Sequence, residues 1–293
     1  LHVDAPLPWG VTGSLTPVLG PDARWQGQAH VAPLLDAFPF ATSVRSLVAD
    51  VTVAGELMSP AVAMRLAADA GAFGQWQGEF AAHATAQRVR IDTLRLEGAH
   101  GMQVAASGDL DLTASPAVRG GVLAWQGVRW PVTGDARLTG AAGELHLEGD
   151  REAWSATLRG AASVDAVPAE VHLTAAGDAQ GMTVRELVAH LLGGELAGEF
   201  DVDWHDALSI TAQLYGRLLN PGALDAAWPG TLAMAVDGRL VVKDGVVSAL
   251  EVPMLRVNGT LRDVPLDVQG DGAYLAGEWR LAVPRARWTA SRH

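Results

Sequence analysis

Gly198-Glu199-Phe200-Asp201-Val202-Asp203-Trp204 is the stretch on which the fold turns. Phe200, Val202 and Trp204 alternate with Glu199, Asp201 and Asp203. Side chains at i and i+2 share one face of a strand, so this segment reads as a strand with one apolar and one wet side. The same alternation recurs in Gly108-Asp109-Leu110-Asp111-Leu112-Thr113 and Gly143-Glu144-Leu145-His146-Leu147-Glu148. It returns at Val171/Leu173, Leu240/Val242, Leu266/Val268 and Leu275/Trp279/Leu281/Val283. Gly, Asp and Asn punctuate these runs, as turns and bulges require. The expectation is an all-β chain: an extended, curled sheet forming a half-open groove, with a few short helices. Those helices are expected at Pro33 to Phe38, Pro60 to Ala72 and Thr183 to Leu192, with a turn at Pro221 to Ala227.

A degenerate repeat overlies the alternation. An apolar position, a Leu, a glycine or glycine pair and a new strand follow one another three times. Val89 to Gly98 leads to the strand at Gly108; Thr183 to Leu187 leads through Gly193-Gly194 to Gly198; Val246 to Val252 leads through Gly259 to Gly270. Trp25-Gln26-Gly27 running to Gly55, and Trp204-His205-Asp206 running to Gly238, form a second phrase. The spacing is not fixed, as in a decayed β repeat. The chain reads as one continuous segment of a larger protein over 1–293, with a weak subdivision into 1–167 and 168–293.

Composition excludes several function classes. Hydrophobic residues make up 49% and charged ones 18%, yet no apolar run approaches the about 20 residues of a spanning helix. Val62 to Phe73 is interrupted by Arg65 and Asp69. The start Leu1-His2-Val3-Asp4 has no basic leader or apolar signal core, so a targeting or anchoring segment is expected outside this stretch. With no cysteine, thiolate sites and disulfides are ruled out. A net charge of −12 argues against a nucleic-acid partner and against adhesion through anionic head groups.

Catalytic patterns are missing. No GxSxG elbow, Walker loop or GxGxxG occurs, and no histidines take a ligand spacing such as HExxH. Asp201, Asp203 and His205 share one strand face, but they span about 13 Å and read as a solvated face in preference to a metal site. Asp109 and Asp111 could serve as glycosidase carboxylates only if a β-solenoid positioned them, and they read as surface acids. No catalytic residue, metal or cofactor is assigned. Ten Trp against two Tyr and five Phe is an unusual balance; Trp25, Trp76, Trp125, Trp130, Trp154, Trp204 and Trp279 are expected at or near strand ends, their indole N–H groups reaching water or their rings rimming a groove.

Four phrases resemble the TamB family, within the AsmA-like proteins. Leu214-Tyr215-Gly216-Arg217-Leu218-Leu219-Asn220-Pro221, then Trp228-Pro229-Gly230-Thr231-Leu232, is similar to its "L-x-P … W-P-G-x-L" segment. Leu255-Arg256-Val257-Asn258-Gly259-Thr260-Leu261-Arg262-Asp263-Val264-Pro265-Leu266 is similar to "L-x-G-T-L-R-x-x-P-L", with Gly270-Asp271-Gly272 at the next strand. Gly120-Gly121-Val122-Leu123-Ala124-Trp125-Gln126-Gly127-Val128-Arg129-Trp130-Pro131 resembles the "W-x-G-L-R-W-P" turn. The resemblance is strongest over residues 105–275. It implies a periplasmic scaffold anchored in the inner membrane through a segment outside this chain. It further implies a trough that conducts phospholipid acyl chains to the outer membrane and, with an outer-membrane barrel of the TamA type, supports assembly of outer-membrane proteins. On that reading the groove residues are Phe200, Val202, Trp204, Leu240, Val242, Leu266, Val268 and Trp279. The alternatives are a strand-binding, chaperone-like scaffold for nascent outer-membrane proteins without lipid conduction, and a carbohydrate-active β-solenoid.

Overall fold

The computed structural model describes residues 9–18, 24–33, 46–56, 58–71, 74–113, 117–132, 134–243, 246–275 and 278–288. The chain divides into two compact units, Leu1–Asp150 and Arg151–His293. The weak subdivision read from sequence at 167/168 lies between the first two residues of the second strand of the second unit, Val167–Gly177.

The first unit is an antiparallel meander of β1 (Trp9–Val18), β2 (Arg24–Pro33), β3 (Ser46–Glu56), β4 (Ser59–Asp69), β5 (Gln75–Ala84), β6 (Arg88–Gly98), β7 (Gln103–Asp111), β8 (Ala117–Trp130) and β9 (Leu138–Asp150). Each strand pairs with the next in sequence. The second unit repeats the plan with β10 (Trp154–Val164), β11 (Val167–Gly177), β12 (Gly181–Leu191), β13 (Gly194–Asp203), β14 (Leu208–Leu219), β15 (Gly230–Lys243), β16 (Val246–Leu261), β17 (Val264–Leu275) and β18 (Glu278–Trp288). The all-β expectation holds. The helical elements among the described residues include the 3-10 turns Ala99–Gly101 and Pro221–Ala223, and no α-helix.

Two expected helices are strands, and the reasons are physical. Pro60 to Asp69 lies in β4, bonded on both sides to β3 and β5. Its outer face is Ala63, Arg65 and Ala67; small apolar residues there blur the alternation until Val62-x-Met64-x-Leu66 also fits a helix. Thr183 to Leu191 lies in β12 and contains a bulge. Arg185 and Glu186 together oppose Glu199, because Val184 pairs with Phe200 and Leu187 with Gly198. The extra residue keeps Val184 and Leu187 on one face at a spacing of three, which imitates helical periodicity. For the expected helix at Pro33 to Phe38, Pro33 ends β2 and residues 34–38 lie outside the described residues.

That bulge is the physical content of the degenerate repeat. In β6, Asp92 and Thr93 oppose Ser107, between the pairs Ile91/Gly108 and Leu94/Ala106. In β16, Pro253 and Met254 oppose Asp271, between Val252/Gly272 and Leu255/Gly270. Each of the three repeat phrases is therefore a bulged strand followed by a hairpin return. Register also shifts at Arg119-Gly120 in β8 and Arg217-Leu218 in β14. These bulged strands all run in one direction within their unit, and each bulge adds to the right-handed local twist.

Two resemblance phrases prove to be partners. Gly230, Thr231 and Leu232 pair with Leu261, Thr260 and Gly259. A Cβ on Gly230 would lie 2.4 Å from the Thr260 carbonyl oxygen, and one on Gly259 would lie 2.1 Å from that of Thr231. Each phrase supplies the glycine that lets the other's backbone approach. The Arg262-Asp263 pair then turns the chain with both residues at positive φ, as a tight hairpin requires.

Candidate functional site

The second unit places its apolar side chains in continuous cross-strand rows. One row runs Met182, Val202, Ile210, Leu240, Leu250, Tyr274 and Trp279 from β12 to β18. A second runs Val268, Val257, Met234, Gly216, Leu196, Ala189 and Val171 from β17 back to β11. Leu266 continues a third through Gly259 and Leu232 to Leu219, and Phe200 sits between Val184 and Ala212. Val242 lies between Leu208 and Val247.

The predicted positions thus fall together. Phe200, Val202, Leu240, Val242, Leu266 and Val268 share this face, and Trp279 closes its first row against Tyr274, with ring centroids 4.9 Å apart. Trp204 stands one residue past the end of β13 and, with Trp279, is more exposed than the face itself, at 41% and 63%. Ile210, Leu250, Val257, Met234 and Leu196 were not singled out from sequence. Their i, i+2 spacing carries the signal, but only the register shows that they continue the same rows.

Among the described residues of this unit, none forms a second layer over the face. Most of its residues are half-buried, and the described side chains of this unit below a tenth exposed are Ala175, Val184, Ala189, Val202 and Leu219. A second sheet packed on top would bury whole rows. The first unit has the same two-sided character, with Val62, Met64 and Leu66 inward against Arg65 outward on β4.

The opposite face is a ladder of exposed charge. His30 faces Asp50 at 3.0 Å, Arg65 faces Glu79 at 3.5 Å and Arg285 faces Asp267 at 2.7 Å. Such pairs contribute at most about 1 kcal/mol each and serve mainly to keep this side in water. An open recess of about 470 Å³ on the first unit is lined by Asp50, Arg65, Glu79 and Arg95, and so belongs to the polar side.

Glu195 and Arg217, cross-strand partners at 2.8 Å, give a pH dependence. The hydrogen bond and charge of Arg217 hold the Glu195 carboxyl below its ordinary range, and those of Glu195 in turn raise the Arg217 guanidinium. A carboxyl depressed on folding stabilises the fold above its unfolded pKa, and that contribution is lost as pH falls through the folded value. Acid titration of Glu195→Gln, followed by circular dichroism, is expected to show a shallower loss of stability between about pH 5 and pH 3.

The acidic candidates have separate employment. Thr183 Oγ1 donates to Asp201 at 2.6 Å, the His205 backbone N–H donates to Asp203 at 3.0 Å, and His205 itself lies 3.8 Å from Asp206. Asp111 accepts from the hydroxyl and backbone N–H of Thr113 and faces Arg119 at 3.4 Å, which together hold its carboxyl low. Asp109 pairs across the sheet with Arg90 and Arg119.

Indole placement refines the sequence reading. The Trp154 and Trp204 N–H groups donate to the carbonyls of Asp178 and Ala179 at 3.1 and 2.9 Å, where water had been expected. Trp76 and Trp154 lie over the cross-strand glycines Gly98 and Gly177; a Cβ on either would meet the ring at 3.0 or 2.7 Å. An aromatic over a glycine fills the space the glycine leaves.

An all-β meander with one uncovered apolar face and one charged face defines a β-sheet scaffold of the open-groove class. The family model for the TamB N-terminal domain matches residues 93–290, and the chain belongs to the TamB family. No solved structure matches it.

Proposed function

We propose that the uncovered apolar face holds phospholipid acyl chains and passes them between the inner and outer membranes, as a non-enzymatic segment of a periplasm-spanning scaffold. The scaffold is anchored in the inner membrane through a segment outside this chain. An outer-membrane barrel of the TamA type is its partner, and support of outer-membrane protein assembly is its second task. The carrying observation is the row from Met182 to Trp279, seven strands wide and lacking a covering layer.

The energetics favour a chain-like, non-specific occupant. At about 0.8 kcal/mol per buried CH₂, one acyl tail gains on the order of 10 kcal/mol by leaving water. Apart from the ring O–H and N–H of Tyr274 and Trp279 at one end, the rows supply methyl and methylene groups, which do not discriminate between head groups. A photo-crosslinking residue at Leu240 is expected to capture phospholipid, and one at Arg239, on the opposite face, to capture none. Leu240 is the better probe than Val202, which is only 8% exposed. Equal labelling at Leu240 and Arg239 would remove the support for this function.

A further inference from the structure

Trp154, Trp204, Tyr274 and Trp279 bring ring hydrogen-bond donors to the apolar face of the second unit, all at the same end of its strands. Two of these donors are committed. The Trp154 and Trp204 N–H groups are held by the Asp178 and Ala179 carbonyls. The other two are not. The Tyr274 hydroxyl and the Trp279 indole N–H donate to no described residue, and their rings stand together, tilted by 48°. Tyr274 is half-buried, and both rings end the row that holds Leu240 and Leu250.

We propose that Tyr274 and Trp279 hold the ester carbonyls of a diacyl phospholipid whose tails lie on this face. The inference rests on the acyl-chain reading given above and names the part of the lipid that is recognised. On the empty face both donors meet water. A tail laid along the row displaces that water, and a donor covered without an acceptor loses more than an ordinary hydrogen bond gains. The ester carbonyl is the acceptor that each acyl tail carries at its own end, and two donors match the two carbonyls of one lipid. Length agrees as well. One tail occupies about 15 Å of a bilayer core, and three strand steps from Tyr274 through Leu250 and Leu240 to Ile210 cover about 14 Å. Charge disfavours the phosphate as the acceptor. Glu278 stands exposed beside Trp279, and Arg280 pairs with Ala273 on the opposite face. Because the ester linkage is common to diacyl phospholipids, the pair recognises the class without choosing between head groups.

The test is isothermal titration calorimetry of the full chain with dihexanoyl phosphatidylcholine and with its dihexyl ether analogue, which lacks both carbonyls. The unmodified chain is expected to bind the ester about tenfold more tightly than the ether. The double variant Tyr274→Phe, Trp279→Phe keeps an aromatic ring at both positions and removes both donors, so its preference for the ester is expected to vanish. Tyr274→Phe alone, lowering that preference about threefold, serves if the double variant does not fold. Tyr215→Phe removes an exposed hydroxyl from the opposite face and leaves the preference intact. In the unmodified chain the Trp279 indole N–H resonance is expected to move downfield with the ester and not with the ether. Equal binding of ester and ether by the unmodified chain, or a preference that survives in the double variant, overturns the proposal. An equal loss of both lipids in the double variant places the donors on the phosphate and also overturns it. Each of these results leaves the acyl-chain face standing, whereas an unmodified chain that binds neither lipid rejects the face itself.

Discussion

Replacing Gly259 with valine is expected to destabilise the second unit by about 3 to 5 kcal/mol. Gly259 sits in β16 between Leu232 of β15 and Leu266 of β17. Its φ is +141°, a conformation L side chains rarely adopt, and its Cβ would lie 2.1 Å from the Thr231 carbonyl oxygen and 3.1 Å from Leu232 Cα. Backbone strain and overpacking therefore add, and the obstacle is main chain, which cannot rotate away. β15 and β16 would have to separate where Gly230 makes the reciprocal close approach to Thr260. Gly140 provides the contrast. Its φ is +64° but no atom lies within 4 Å of its Cβ, so Gly140→Ala costs only about 1 kcal/mol of backbone strain. Urea unfolding of both variants, followed by tryptophan emission, measures the difference; equal midpoints would show that the close approach is not what the glycine serves.

The double variant Leu240→Asp, Leu255→Asp is expected to lose bound phospholipid by more than about tenfold while keeping its strand content. Both residues lie on the uncovered face, in β15 and β16, with apolar neighbours Leu250 and Val236 across the sheet. In the empty face these positions meet water, so the carboxylates stay hydrated and the sheet persists. Against an acyl chain they must shed that water without gaining a partner, which is the most costly change available on this face. Circular dichroism checks the fold.

Much of this was legible in the sequence, and the parts that were not have identifiable causes. Gly198 to Trp204 announces a two-faced strand because nothing interrupts its alternation, and Phe200 and Val202 lie where that alternation puts them. Thr183 to Leu191 misleads because one bulged residue converts a two-residue period into a three-residue step between Val184 and Leu187. Pro60 to Asp69 misleads because alanine fits either face. The rows themselves were beyond reach. Knowing that Leu240 points inward does not reveal that Ile210 and Leu250 flank it, since register is set by bulges and turns in other strands. The phrases shared with the TamB family were readable as words, but their meaning, two glycines each admitting the other's carbonyl, is visible only across the pair β15 and β16.

The most direct test of the account is native mass spectrometry of the chain purified from bacterial membranes, beside the Leu240→Asp, Leu255→Asp variant. The account predicts phospholipid masses retained on the unmodified chain and absent from the variant. A lipid-free unmodified chain, or equal retention by both, would contradict it.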